Sequence, residues 1–437
     1  MEYYADIAMV AVIQNADALG ATPLRRDALA IVEAAYEAAD IRKAFARKVR
    51  IEDEVLVVED VRWPLRGRRI FFVGVGKCAI AAAEAVERLL GDRLVSGIAL
   101  DVRGLAGNRL EKTETFVGTH PRPSETNLVA AARIVELLEL AGEDALVLML
   151  ISGGGSTLLC LHDAPMTCLD EGMLFDALTD RGAAIQELNI VRKHLSKARG
   201  GWLAKAAYPA EVLAFVVSDV PGNDLEFIAS GPTVLDHSTV ADAQAVLARY
   251  GVPEPLGGFI ETPKEASYFA RVTNTLFLTN HDALDAMQRE AERLGYRAIR
   301  VDDAMHGEAR ELAAAALERL HAAAPKTALL CGGESTVTLS GSHGKGGRNQ
   351  ELALAALGSI RKGELLIPFA SDGRDATEHA GAIADELTLA HARERRVDID
   401  PALALHASHD FFETTGDALV TGLLESNVSD LLLALKT

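Results

Sequence analysis

The sequence predicts a two-domain α/β protein, and three observations carry that expectation. Its 437 residues exceed the ~100–200 of one ordinary domain. Short β-branched or aromatic runs with little internal alternation are separated mostly by helix-length amphipathic stretches, the pattern of strands covered on both faces by helices in a largely parallel sheet. A Gly- and Pro-rich stretch at 251–266, GVPEPLGGFIETPKEA, separates two such series and is the best linker in the chain. The expected division is therefore residues 1–250 and residues 251–437.

Each element has a local reason. Ile, Val, Leu and Ala at helical spacing predict helices over about residues 6–19 and 23–48. The runs RIFFVGVG, VSGIALDV, TETFVGTH, ALVLMLIS and VLAFVVSDV follow as buried strands of the first domain. Beyond the linker, TLFLTN, YRAIRVD, TALLCGGES, VTLSGS and ELLIPFASDG read as strands, with helices over 281–294, 307–321 and from Asn349. No fixed-period repeat or heptad pattern interrupts this order.

Composition excludes several classes. Hydrophobic residues at 49% and charged residues at 24% match a globular chain and exclude a disordered or fibrous one. A net charge of −19, from 63 acidic and 44 basic residues, repels nucleic acid, although a few cations in a cleft can still recruit a small anion. The most apolar run, ALVLMLI at 145–151, is far short of the ~20 residues of a membrane span, and no signal peptide is evident. Cys78, Cys160, Cys168 and Cys331 form no C-x-x-C pair and no zinc-like Cys/His spacing, so a reducing cytoplasm is the expected location.

Chemistry concentrates where the strands stop. Gly74-Val-Gly76-Lys77 and Ser152-Gly153-Gly154-Gly155-Ser156 each follow a strand and lead into a helix, where glycine amides form anion nests and a lysine can meet a phosphoryl group. Ser218-Asp219 and Ser371-Asp372 place carboxylates at strand ends, suited to a proton-accepting role or to Mg²⁺. Glu334 ends CGGE. Arg192, Lys193, Lys197 and Arg199 make one helix strongly basic, with Arg192 and Lys197 the expected phosphate contacts. In GGRNQE, Arg348 offers a forked donor and Asn349 a helix cap. The histidines form no H-E-x-x-H set, and neither a Walker A loop nor a G-x-S-x-G elbow is present.

Gly74-x-Gly76-x-x-Ala79 also fits the dinucleotide fingerprint, with Asp101 placed for a ribose hydroxyl. An NAD(P)H-dependent hydroxypyruvate reductase is therefore one alternative, and a non-catalytic phosphosugar-binding module is another. Neither explains Lys77 together with the second glycine-rich loop around Arg348.

Taken in order, Gly76-Lys77-Cys-Ala79, Thr119-His120-Pro121, ISGGGS at 151–156, NIVRKHLSKARGGWLA at 189–204, SDVPGN, IASGPT, GGES, GGRNQE and SDGRDATEHAGA resemble the glycerate 2-kinase family, also called class II glycerate kinase, over about residues 5–435. The resemblance implies a Rossmann-like N-terminal domain and a C-terminal α/β domain containing the MOFRL region at about 327–435. It implies ATP-dependent phosphorylation of the 2-hydroxyl of D-glycerate with Mg²⁺. Lys77, Asp219 and Arg348 match the family's catalytic positions, Asp219 and Asp372 are the candidate Mg²⁺ ligands, and a homodimer is the assembly to test. Two positions depart from the family: Asn223 stands in place of Asp, and residues 421–428 replace TGPTGTNV. The second brings in Leu423, Leu424 and Glu425 and leaves a related sugar acid as an alternative acceptor.

Overall fold

Strands buried on both faces must lie between layers of helices, and the computed structural model, which describes residues 11–104, 110–339 and 341–437, places them there. It divides into two compact units, one of Ile41–Leu278 and one of residues 11–40 with Thr279–Thr437. The division differs from the expected cut at 251. Residues 251–266 are held within the first unit: Ile260 N donates to His194 O at 2.9 Å, and Thr262 Oγ1 donates to the buried Asp236 at 2.9 Å. Asp236 also takes Lys193 Nζ at 2.9 Å, so a polar hub fastens a segment whose composition alone reads as a linker.

In the Ile41–Leu278 unit, a small antiparallel sheet of β1 (Val49–Glu52), β2 (Val55–Val58) and β3 (Val61–Pro64) precedes the main one. The main sheet holds β4 (Arg69–Val75), β5 (Leu94–Asp101), β6 (Thr113–Val117), β7 (Ala145–Ile151), β8 (Glu211–Val217) and β9 (Val272–Leu278). All five pairings are parallel, in the order β6-β5-β4-β7-β8-β9. This is the doubly wound order of Rossmann sheets, whose crevice opens where the winding reverses, here between β4 and β7. Every residue of β7 is buried, as its unbroken apolar run predicts. TLFLTN, expected in the second domain, instead supplies β9 at the edge of this sheet.

The other unit begins with a helix over Pro23–Ala39, started by Pro23 at its first turn and by Thr22, whose Oγ1 accepts from Arg25 N at 3.2 Å. The helix expected over 23–48 breaks at Asp40, which is extended, and Ile41–Lys48 forms a separate helix of the first unit. Of the helix expected over 6–19, residues 6–10 lie outside the described residues and Ala16–Leu19 is a single turn. The sheet contains β10 (Arg297–Glu308), β11 (Thr327–Thr336), β12 (Glu364–Ala370), β13 (Gly381–Ala382), β14 (Ala384–Asp385), β15 (Ala418–Leu419) and β16 (Asp430–Lys436). It is mixed: β10 and β11 are parallel, while β16 runs antiparallel between β11 and β12. Among the described residues VTLSGS carries no strand, because β11 ends at Thr336.

Arg25, on the first helix of this unit, is buried and grips Asp385 in a fork, Nε to Oδ2 at 2.7 Å and Nη2 to Oδ1 at 2.6 Å, while Nη1 reaches Asp417 at 2.8 Å. Removing the guanidinium strands two buried carboxylates. Arg25→Met lowers unfolding free energy by about 3–5 kcal/mol, read as an earlier urea midpoint by circular dichroism; an unchanged midpoint refutes the role of this network.

Candidate functional site

The first unit's site is built where β4, β7 and β8 end level, with Val75 opposite Ile151 and Ile151 opposite Val216. Level ends bring the three following loops side by side. Gly76 turns with φ 118°, and a Cβ there would lie 2.1 Å from Ser152 Oγ and 2.6 Å from Ser152 O, so only glycine fits. The turns are then laced together: Lys77 N donates to Gly153 O at 3.0 Å and Ser152 N to Val75 O at 2.9 Å.

Gly153 meets the third loop. A Cβ built on it would lie 1.9 Å from Asp219 Oδ2, so the Asp219 carboxylate rests against a bare α-carbon. Gly154 is left-handed at φ 83°, and a Cβ on it would come 3.6 Å from Lys77 Cγ and 3.5 Å from His120 Cδ2. Lys77, His120 and Asp219 thus surround the same glycine run. Ser156 Oγ accepts from Ser230 Oγ at 2.9 Å, fixing the far end of the loop.

A cavity of about 540 Å³ opens here, lined among others by His120, Gly154, Asn189, Arg192, Asp219 and Asp224. Arg192 stacks on Phe175 with its Cζ 4.4 Å from the ring centroid, and its Nε is buried without a hydrogen-bond partner. Burial and the nearby Arg199 push its guanidinium down to about 10, against the pull of Glu171; it stays charged at neutral pH and poorly compensated, the condition of a group that gains from an arriving anion. Partial burial of the ring, then the charges of Lys77 and Arg192, push His120 down to about 4.

The helix expected to carry all four cations ends at Lys193, with Lys197 and Arg199 in the turns beyond it, so the four do not present one helix face to this cavity. Lys193 is held by Asp236 and Glu226, Arg199 by the buried Glu171 at 2.8 Å, and Lys197, expected to contact phosphate, pairs with Asp163 at 2.6 Å. Of these four cations only Arg192 lines the cavity. Gly155 is fixed by packing, since a Cβ on it would meet Ala229 Cβ at 2.6 Å, and Gly74 lies within β4. Asp101 accepts from Ile80 N at 3.1 Å and Val102 N at 2.7 Å, and burial raises its carboxyl to about 6; it serves the turn and is not presented to a ribose. His120 and Asp224 escaped the sequence reading as cavity residues. His120 had a signal, the His-Pro just beyond the strand TETFVG.

The second unit gathers its own cluster at one edge of its sheet. Arg348, first in the helix Arg348–Ala356, donates Nε to Asp430 Oδ2 at 2.5 Å and Nη1 to Glu334 Oε2 at 3.0 Å. Burial lowers its basicity, but Asp430 and Glu334 outweigh it and raise the guanidinium above its ordinary value. Burial drives Asp430 up to about 7 while Arg348 pulls it back. The cap expected from Asn349 comes instead from Asp375, which accepts from Asn349 N at 3.0 Å and Gln350 N at 2.7 Å. Gly347 is glycine because a Cβ there would lie 1.9 Å from Asp375 O. Asp372 follows β12 and accepts from Arg374 N at 3.1 Å.

The environment of His120 has a pH consequence. Its folded-state value lies below the ~6.5 of a free histidine, so its contribution to stability is present above about pH 6.5 and is lost as pH falls toward 4. A ring-proton NMR titration shows His120 neutral down to about pH 5; a midpoint near 6.5 removes Lys77 and Arg192 from its surroundings.

The chain is similar to known proteins along most of its length. Residues 27–260 match the family described as a domain of unknown function, DUF4147, and residues 327–430 match the MOFRL family. The glycerate 2-kinase of Pyrococcus horikoshii is 35% identical over 95% of this chain and 98% of its own. A protein of Agrobacterium vitis provisionally named hydroxypyruvate reductase is 38% identical over 90% of this chain and 92% of its own. The crystal structure of glycerate kinase from Thermotoga maritima matches with a TM-score of 0.82 at 32% identity, over 94% of this chain and 99% of that one. At 35% identity to a named glycerate 2-kinase over nearly the whole of both chains, and with residues 327–430 matching the MOFRL family, the chain belongs to the glycerate 2-kinase family.

Proposed function

We propose that the protein is a glycerate 2-kinase, transferring the γ-phosphoryl group of ATP to the 2-hydroxyl of D-glycerate. The observation that carries this reading is the convergence of Lys77, Asp219 and the triglycine turn at the winding reversal of the first sheet. Phosphoryl transfer needs positioning and charge neutralisation more than covalent chemistry; the glycine turn and Asp219 line one cavity, and the Lys77 side chain lies beside Gly154 of that turn.

In this mechanism the amides around Gly153, Gly154 and Ser156 cradle phosphate oxygens, and Lys77 and Arg192 offset the charge of the nucleotide. Asp219, held against Gly153, accepts the proton of the attacking hydroxyl. Asp219 and Asp224 line the same cavity and suit Mg²⁺, which takes one or two carboxylates beside phosphate oxygens and water; bound there it would neutralise charge on the phosphates. Arg348 is proposed as a further catalytic cation on the strength of the family likeness, and Asp372 as a substrate contact. The four cysteines, present as thiols, suit a reducing cytoplasm, and no described helix is long and apolar enough to cross a membrane.

The reductase name of one relative makes hydride transfer the reading to test against. Asp101 speaks against it, since its carboxylate is occupied by two backbone amides. Purified protein with Mg-ATP and D-glycerate yields 2-phosphoglycerate, detected by coupling through enolase; NADH oxidation with hydroxypyruvate and no use of ATP overturns the kinase reading. Lys77→Met lowers turnover by about 10²–10³-fold, and Arg348→Ala by about 10³-fold. Wild-type turnover in either folded variant removes that residue from the mechanism.

A further inference from the structure

Away from the cavity, the tertiary structure brings together a cysteine pair and a histidine whose sequence spacing, Cys160-x-His162-x₅-Cys168, matches no common zinc motif. Cys160 Sγ and Cys168 Sγ lie 2.9 Å apart, and the His162 ring nitrogens lie 3.8 Å (Nδ1) and 3.5 Å (Nε2) from Cys160 Sγ. One donor atom from each residue lies within 4.8 Å of the other two, and all three residues are buried. We propose that Cys160, His162 and Cys168 bind a soft divalent cation of the zinc class.

Three features favour a cation here. First, the second nitrogen of His162, Nε2, is hydrogen-bonded to the Glu171 carboxylate, which Arg199 in turn holds at 2.8 Å. A carboxylate behind the ring is what orients a metal-ligating histidine and leaves Nδ1 for the ion. Second, bonds of ~2.3 Å to sulfur and ~2.1 Å to nitrogen in a tetrahedron separate those donors by ~3.6 Å, close to the observed 3.8 Å; the two sulfurs open by about 1 Å to share the ion. Third, Cys168 begins the helix Cys168–Thr179, whose N-terminal dipole favours a thiolate.

Binding displaces both thiol protons to solvent. Two thiolates then balance the dication, and Glu171 balances Arg199, so the buried group carries no net charge. A cavity of about 390 Å³ lined by Ser124, Thr167 and Cys168 gives the ion an entry path and supplies water as fourth ligand. The bound ion ties the loop after Cys160 to the helix that carries Phe175, against which Arg192 stacks.

The test uses the intact chain, reduced and stripped of metal, titrated with Co²⁺. One equivalent develops a thiolate-to-cobalt charge-transfer band and tetrahedral d–d bands, Zn²⁺ bleaches them, and Cys168→Ser loses the charge-transfer intensity. His162→Gln, which keeps both sulfurs, binds at least ~10-fold more weakly. Absence of the bands in the wild-type chain overturns the proposal, as does an intact mass two hydrogens short after purification, which marks a disulfide. Turnover plays no part in the readout, so a failed kinase assay leaves this result standing on its own.

Discussion

The contact of the Asp219 carboxylate with the bare α-carbon of Gly153 is the constraint on which the rest of the first site depends. Parallel strands in level register deliver three loops to one place, but delivery alone would leave them to clash. Glycine at 76 admits Ser152, and glycine at 153 admits Asp219. The missing side chains are therefore not general flexibility; each is a volume filled by a neighbouring functional group. Lys77 and His120 lie beside the same run, and Gly154 is required there by its left-handed φ of 83°.

Electrostatics follows from which cations the fold neutralises. The chain carries a large negative charge, and three of the four cations of its most basic segment, residues 192–199, are matched to acids: Lys193 to Asp236, Lys197 to Asp163 and Arg199 to Glu171. Arg192 instead rests on an aromatic ring beside the cavity. What the cavity offers an anion therefore does not depend on the number of basic residues nearby. It depends on Arg192, which lines the cavity and keeps its charge without a fully compensating partner, while Lys77 lies close enough to His120 to act on it alongside Arg192.

In the second unit the ordering principle is a buried carboxylate at a helix start. Asp375 caps the helix that begins with Arg348 and crowds Gly347, which holds the guanidinium over Glu334 and Asp430. Asp430 enters because β16 runs antiparallel between β11 and β12, so its first residue lies at the same sheet edge as their last. LLLALK signals a buried strand by composition, yet nothing local announces that it returns to the middle of a sheet.

By itself the sequence determined the parallel sheet, the glycine turns and the candidates Lys77, Asp219 and Arg348, because apolar runs and strand-end motifs are local patterns that burial must respect. The resemblance to a kinase family was equally legible, carried by motifs in order. Only the tertiary structure decided the division of the chain, the assignment of β9 to the first sheet, the loss of Lys197 to Asp163, and the meeting of Cys160, His162 and Cys168. Each of these depends on which distant side chain neutralises or packs against a residue, and a linear pattern carries no information about partners tens to hundreds of residues away. A charge or a thiol is readable in the sequence; whether it is matched or available is settled by the fold that surrounds it.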